Sequence, residues 1–266
     1  MKQRPSFPAR LDSGQTQAAP KTLLGATRVV TPQSLSRAKP VSMASPTGVG
    51  LDSSAIRARM VQKLAEQGID DAVVLQAMGL VERHRFVDSA LVNQAYEDTS
   101  LPIGLGQTIS KPNVVARMIA LLREAPGLQA APMGRVLEIG TGCGYQAAVL
   151  SLVAREVYSM ERLRGLHDKA KENLRPMRLP NLHLMFGDGM LGYPKGAPYS
   201  AIIAAAGGEA VPQAWIDQLA MGGRIVAPMQ TTAGQQALVV IDKTPQGLQQ
   251  SLLEAVHFVP LKSGIA

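Results

Sequence analysis

The chain has 266 residues, of which 46% are hydrophobic, so it can bury a substantial core in one large domain or two small ones. Its net charge is +7, but residues 1–50 hold seven basic residues against one acid, which leaves the rest of the chain near neutral. A near-neutral domain argues against nucleic-acid binding, and no apolar run approaches the ~20 residues that cross a membrane. The lone Cys143 excludes an internal disulfide framework and suits a reducing compartment.

Residues 1–50 are predicted to form a disordered basic tail. They contain six prolines among Ser, Thr, Gln and Ala, and no apolar periodicity persists through them. A secretory signal does not fit, because Arg28 interrupts the best apolar stretch, Leu23–Val30. An organellar transit peptide fits the composition better, and a solvated tail of no fixed role is favoured over both. The sequence leaves the purpose of this tail open.

Helical patterns begin directly after the tail. Apolar residues recur at helical spacing behind a possible serine cap at Ser53 or Ser54, namely at Ile56, Met60, Val61 and Leu64. A second helix is predicted over Asp70–Met78 and a third over Pro112–Arg123. The intervening segment, Asn93–Pro112, is dense in loop signals and is predicted to be a loop.

From residue 133 onward, short apolar runs alternate with helical stretches. The predicted strands are Arg135–Ile139, Glu156–Met160, Leu182–Phe186, Ala201–Ala205 and Arg224–Ala227, and the predicted helices are Tyr145–Val153, Leu163–Leu174 and Val211–Leu219. This alternation predicts an α/β fold with a doubly wound parallel sheet. Two consecutive strand candidates, Ala237–Ile241 and Gln250–Val259, flank a turn and predict a closing antiparallel hairpin.

A glycine loop, Glu138–Gly144, follows the first strand of this region and precedes a helix. Its glycines are Gly140, Gly142 and Gly144, with Thr141 between the first two, so that the spacing is E-x-G-x-G-x-G. A dinucleotide-binding loop would need glycine where Tyr145 stands, and no Lys-Ser or Lys-Thr follows as in a P-loop. The loop therefore favours another nucleotide-like cofactor over NAD or a nucleoside triphosphate.

Acidic residues follow the next two strands. Glu161 ends the second strand, where a carboxylate can accept hydrogen bonds from both hydroxyls of a ribose. Asp188 and Gly189 follow the third strand, where an acid can accept from an adenine amine. Each acid also has a plainer explanation, Glu161 as a helix start and Asp188 as a turn residue. Together with the glycine loop, they form the arrangement typical of class I methyltransferases that use S-adenosyl-L-methionine.

One segment is more specific than the glycine loop. Leu101–Pro112, preceded by Arg83–Val87, closely resembles the protein-L-isoaspartate O-methyltransferase family, and its Gly106–Ser110 block is the most distinctive part. The resemblance covers roughly residues 53–266. It implies a Rossmann-like methyltransferase domain over 51–266, with N-terminal helices and a substrate loop in 51–125 and a cofactor-binding sheet with a closing hairpin in 133–266.

The resemblance also implies a function and a site. The cofactor would be S-adenosyl-L-methionine, and the substrates would be isoaspartyl residues of damaged proteins and peptides, methylated for repair by a cytoplasmic monomer without a metal. Ser110 matches the active-site serine of the family, and Ile103, Gln107 and Thr108 would line the cleft between methyl donor and substrate. Ser110 also fits as the N-cap of the third helix, with Pro112 in its first turn.

Departures from the family pattern and two other interpretations remain open. Residues Ala204–Glu209 and Lys262 differ from many relatives near the expected substrate side, which leaves fine specificity undecided. A class I methyltransferase acting on a small molecule or nucleic acid is the first alternative, although no D-P-P-Y-like motif follows the fourth strand. A non-catalytic module that retains the cofactor fold is the second, and the intact Ser110 segment argues against it.

Overall fold

The computed structural model describes residues 54–129, 132–231 and 234–266. The predicted tail, residues 1–50, lies outside them. No helix in the described ranges is long and apolar enough to cross a membrane.

Three helices precede the main sheet, as the sequence predicts. They are α1 (Ser54–Glu66), α2 (Ala72–Leu80) and α3 (Pro112–Arg123). Helix α2 begins at an aspartate cap, because Asp71 Oδ1 accepts hydrogen bonds from the backbone N–H groups of Val73 and Val74 at 2.9 and 3.1 Å. Proline opens α3, where its missing N–H costs no helical hydrogen bond.

The segment predicted to be a loop contains a small hairpin, so that prediction is wrong in part. Strands β1 (Leu101–Gly104) and β2 (Gln107–Ile109) pair antiparallel as a separate two-stranded sheet. Burial alternates along β1, with Leu101 and Ile103 inward. The turn residues Gly104, Leu105 and Gly106 all adopt positive φ. The density of Gly and Pro obscured an alternation only four residues long.

The main sheet has seven strands in the order β5-β4-β3-β6-β7-β8-β9. Five of them pair in parallel and carry the cofactor-type half of the fold: β3 (Met133–Ile139), β4 (Ala154–Glu161), β5 (Leu182–Phe186), β6 (Tyr199–Ala204) and β7 (Leu219–Gln230). Between them run α4 (Tyr145–Val153), α5 (Arg164–Leu174) and α6 (Gln213–Gln218). The order reverses direction at β3, so the carboxyl ends of β3 and its neighbours form the edge where ligands bind in such sheets.

Strands β8 (Gln236–Thr244) and β9 (Gly247–Val256) close the sheet with the predicted antiparallel hairpin. Strand β8 also pairs antiparallel with β7, which runs several residues further at both ends than the predicted Arg224–Ala227. The apolar run of residues 225–227 marked the buried centre of this strand, whereas its more polar ends gave no pattern. One large hydrophobic cluster includes residues of all three N-terminal helices and of the sheet.

Candidate active site

A cavity of about 490 Å³ opens at the carboxyl ends of the parallel strands. Its walls come from the glycine loop after β3, the end of β4, the β1–β2 hairpin, the start of α4 and residues 259–262. Of the residues predicted for the site, nine line it: Ile103, Gln107, Thr108, Ser110, Gly140, Thr141, Gly142, Glu161 and Gly189. The volume lies within the range of small-molecule and cofactor sites.

The glycine loop has the geometry that its sequence predicts. Gly140, Gly142 and Gly144 have φ values of 91°, 58° and 93°, a region that side chains other than glycine rarely adopt. A Cβ on Gly144 would also lie 2.7 Å from Leu174 Cδ1, because α5 packs against the loop at that point. Gly144 does not line the cavity; it is the residue from which α4 begins.

Glu161 is positioned by its own backbone surroundings. Its two carboxylate oxygens accept hydrogen bonds from the N–H groups of Gly142 and Leu163, each at 2.9 Å, and the residue is 5% exposed. Each carboxylate oxygen has a second lone pair. The carboxylate therefore joins the glycine loop to the start of α5 and can still accept hydrogen bonds from a vicinal diol in the cavity.

Glu138 lies beneath the glycine loop rather than in the cavity wall. Ser159 Oγ donates a hydrogen bond to its Oε2, and the Ser159 hydroxyl lies 2.6 Å from Thr141 Oγ1. Burial raises the pKa of Glu138 to about 8, and the neighbouring Glu161 adds to the rise, while the hydrogen bond from Ser159 opposes it. Glu138 is therefore protonated near neutral pH, and its direct contact with a cofactor stays a prediction.

Asp188 also stands behind the cavity wall. Its Oδ1 accepts from the Met190 N–H at 2.9 Å, and its Oδ2 accepts from the Gly264 N–H at 2.6 Å. The first bond is the turn role that the sequence offered as the plainer explanation. The second brings residues 262–266 against the end of β5, beside Gly189, which does line the cavity. The predicted contact of Asp188 with adenine remains untested.

The β1–β2 hairpin brings the family-specific residues over the glycine loop. Lys169 of α5 holds it there, donating from Nζ to the Ile103 carbonyl at 2.9 Å and pairing with Asp88 at 3.0 Å. A Cβ on Gly142 would lie 3.2 Å from Ile103 Cδ1, so the two segments are in close approach. Thr108 of the hairpin and Ser110 just after it thus line the same cavity as the cofactor-type loop.

Ser110 is not the N-cap of α3, and this interpretation is wrong. Lys111 occupies the cap position without a side-chain capping bond, and Asp98 Oδ1 accepts from the Asn113 N–H at 2.9 Å instead. An aspartate 15 residues away, brought in by the preceding loop, cannot be anticipated from the local pattern. The Ser110 side chain is left available to the cavity that it lines.

Polar lining residues that were not singled out by the sequence include Gln146 and Arg162. Gln146, in the first turn of α4, is buried, and its Nε2 has no hydrogen-bond partner among the described residues. Its place after the glycine loop was the available signal, and Arg162 follows Glu161 directly. Lys262, predicted to lie near the substrate side as a departure from the family pattern, lines the cavity too. Burial raises the pKa of the Cys143 thiol to about 11, so this residue stays protonated, consistent with a small loop residue rather than a nucleophile.

The departing segment Ala204–Glu209 packs against the end of the chain. The Gly207 N–H donates to the Val259 carbonyl, and the Leu261 N–H donates to the Gly207 carbonyl, both at 2.8 Å. Ala205 and Ala206 line the cavity together with Val259, Pro260 and Leu261. The residues that depart from the family pattern therefore include part of the wall of the site. The backbone hydrogen bonds that hold this wall to residues 259–261 are made by Gly207.

Comparison with known proteins gives a consistent set of similarities. A family model described as protein-L-isoaspartate(D-aspartate) O-methyltransferase matches residues 55–266. A protein-L-isoaspartate O-methyltransferase of Methylibium petroleiphilum is 57% identical over 98% of this chain and 96% of its own length. One of Leptothrix cholodnii is 63% identical over 82% of this chain and 77% of its own.

Solved structures agree with the sequence similarities. A protein-L-isoaspartate O-methyltransferase structure, 28% identical, superposes with a TM-score of 0.70 over 79% of this chain and 67% of its own. A Plasmodium falciparum protein solved with S-adenosyl-L-homocysteine superposes with a TM-score of 0.68 at 24% identity, over 77% of this chain and 98% of its own. The second likeness shows the fold alone.

Proposed function

The chain belongs to the protein-L-isoaspartate O-methyltransferase family, and from this premise we propose which of its residues carry the reaction. The enzyme transfers a methyl group from S-adenosyl-L-methionine to the free carboxylate of L-isoaspartyl residues in damaged proteins and peptides. One observation supports the residue assignment above the others. A single cavity is lined both by the cofactor-type glycine loop and by the family-specific hairpin with Ser110.

The residues present fit the cofactor. Gly140 and Gly142 line the cavity in a positive-φ conformation, and Glu161 offers free lone pairs to a ribose from a fixed position. Gly140, Thr141, Gly142 and Gly189 would form the surrounding wall. When bound, the cofactor supplies a methyl group on a positively charged sulfur.

The nucleophile needs no activation by this chain. An isoaspartyl carboxylate has a pKa near 4 and is already ionised at neutral pH. In agreement, the described residues of the cavity wall include no histidine and one carboxylate, Glu161, which accepts hydrogen bonds from two backbone N–H groups. The chain would then act by alignment, holding the attacking oxygen in line with the bond that breaks, an effect worth up to ~7–11 kcal/mol in intramolecular reactions.

Ser110 would position the substrate carboxylate by donating a hydrogen bond to it. Its hydroxyl makes no protein hydrogen bond in the described part of the chain, and it follows β2 directly in the wall of the cavity that the glycine loop also lines. A serine in this role orients the carboxylate and carries no proton in the reaction. Ile103, Gln107 and Thr108 would complete the substrate side of the cleft.

The two alternatives have weaker support. An enzyme acting on nucleic acid would need a basic face, whereas the chain beyond residue 50 is close to neutral. A non-catalytic module would have no need of the hairpin that brings Ser110 to the cofactor-type loop. We propose a cytoplasmic monomer that acts on polypeptides, on the strength of the family resemblance and the lone, reduced cysteine; light scattering in solution tests the monomer.

One assay tests the function against both alternatives. The protein is incubated with methyl-labelled S-adenosyl-L-methionine and paired peptides that differ by isoaspartate or normal aspartate at one position. We expect label on the isoaspartyl peptide alone, and its release by mild base because the product is an ester. Label on neither peptide, or equally on both, would contradict the assignment.

A further inference from the structure

A second cavity of about 490 Å³ continues from the active site. The two cavities share Thr108, Ser110, Ala205 and Val259 in their walls, so they meet at the residue that would hold the substrate carboxylate. The second cavity extends from there between the first turns of α3 and residues 254–259, at the end of β9. We refer to it as the α3–β9 groove.

A substrate of this enzyme is a polypeptide, so residues on both sides of the isoaspartate must leave the reaction site. The cofactor-type loop lines the first cavity but not the second. The α3–β9 groove begins at Ser110 and leads away from that loop, which makes it a path for one flank of the substrate chain. The residues that line both cavities connect the groove to the reaction site. The charged side chains of the groove would then determine which flanking residues of the substrate bind favourably.

Two described charged side chains that line the groove, Arg117 and Glu254, form an ion pair at 3.0 Å. Arg117 also lies 3.5 Å from Glu124, which is outside the groove lining. Asp98 is outside it as well, and its Oδ1 accepts a hydrogen bond from the Asn113 N–H near the start of α3. Lys111 is exposed and makes no hydrogen bond or ion pair with any residue that the structure describes. His257, also exposed, is the remaining titratable group of the groove.

We propose that Lys111 is a specificity-determining residue, which favours substrates carrying an acidic side chain on one flank of the isoaspartate. The inference rests on the proposed function, because it assigns a preference to the same site. Lys111 adjoins Ser110, so a flanking carboxylate that enters the groove passes close to its ammonium. Because the ammonium is exposed, the preference is moderate, about 3- to 5-fold in kcat/KM, and it is screened by salt.

The test uses isoaspartyl peptides that differ at one flanking position, with glutamate, glutamine or lysine on either side and otherwise neutral sequence. Their kcat/KM values, and their dissociation constants in the presence of S-adenosyl-L-homocysteine, are measured for the parent, Lys111→Gln and Lys111→Glu. Lys195→Gln is the control, since Lys195 is exposed and lines neither cavity.

We expect the parent and Lys195→Gln to prefer glutamate over glutamine and glutamine over lysine on one flank, through KM rather than kcat. Lys111→Gln should reduce the preference to about one, and Lys111→Glu should reverse it. An unchanged preference in Lys111→Gln, or none in the parent, would overturn the role of Lys111 alone. If the parent methylates no isoaspartyl peptide, the proposed function itself is overturned.

Discussion

Ser110 and Glu161 face the same cavity with different tasks, so their variants should separate binding from turnover. We expect Glu161→Ala to weaken S-adenosyl-L-homocysteine binding at least about 10-fold, because hydrogen bonds to a charged group contribute roughly 1.5–3 kcal/mol. Ser110→Ala should lower kcat/KM for an isoaspartyl peptide by about 10- to 100-fold while cofactor affinity stays the same.

Calorimetric titration with the cofactor product and steady-state methylation are measured on both variants, and each variant serves as the control of the other. Unchanged affinity in Glu161→Ala would refute the ribose assignment. Equal methylation rates for Ser110→Ala and the parent would leave the serine without a role, since its capping role is already excluded by Asp98.

Glu138 should make the stability of the protein depend on pH. Its pKa is about 8 in the folded state, against ~4.3 in an unfolded chain, so between these values the folded state holds a proton that the unfolded state has lost. Stability therefore falls as pH rises through this window and levels off above pH 8. The groups that face Glu138 are Ser159, Gln146 and Glu161.

Glu138→Gln keeps the side-chain shape without the ionisation. We expect its unfolding free energy in urea, relative to the parent, to increase with pH by up to about 1.4 kcal/mol per unit below pH 8 and to flatten above it. Using the difference between the two proteins removes the contributions of other titrating groups. A difference that is constant from pH 6 to 9 would show that the carboxyl is not protonated in the fold.

At the scale of elements, predictability followed the length and regularity of each pattern. Helix α4 and strand β5 have the predicted bounds, because each is a nearly continuous apolar run in the sequence. The β1–β2 hairpin was missed as structure although its residues were identified as functional. Strand β1 alternates between buried and exposed residues over only four positions and is followed by three residues with positive φ. Such a short alternation does not predict a strand.

What the sequence could not provide was the set of contacts between distant segments. It placed the carboxylates of Glu138, Glu161 and Asp188 equally at strand ends, yet only Glu161 lines the cavity. The difference arises from depth in the sheet for Glu138 and from the approach of Gly264 for Asp188. Neither is a property of the local pattern.

Lys169 bonds the β1–β2 hairpin to α5, which predicts one way to loosen the hairpin. Lys169→Met keeps the length of the side chain but removes the bonds to the Ile103 carbonyl and Asp88. Because the Lys169 side chain is 29% exposed, we expect a loss of about 1 kcal/mol. Amide exchange over residues 101–109 should then be about 5-fold faster, with methylation reduced. Lys195→Met is the control, and unchanged exchange in Lys169→Met would refute the role.

At the scale of the whole molecule, the N-terminal helices and the sheet share one hydrophobic cluster. It includes Met60 of α1, Val74 of α2, Met118 of α3, Val136 of β3 and Val240 of β8. Residues 54–125 therefore bury apolar side chains against the part of the chain that binds the cofactor. The substrate hairpin and the cofactor-type loop keep a fixed relative position because the segments that carry them share this cluster.

A shared core predicts that both parts unfold together. Trp215 is the single tryptophan and is buried in α6, so its fluorescence reports on the sheet, whereas far-UV circular dichroism reports on all helices, including α1 to α3. We expect the two signals to give the same midpoint in urea.

S-adenosyl-L-homocysteine at 100 times its dissociation constant should raise the unfolding free energy from both signals by about 2.7 kcal/mol. Glu161→Ala at the same ligand concentration serves as the control, with a smaller rise. A circular dichroism midpoint at lower urea than the fluorescence midpoint would show that helices α1 to α3 unfold separately from the sheet. In that case, ligand binding should shift the fluorescence midpoint more than the circular dichroism midpoint.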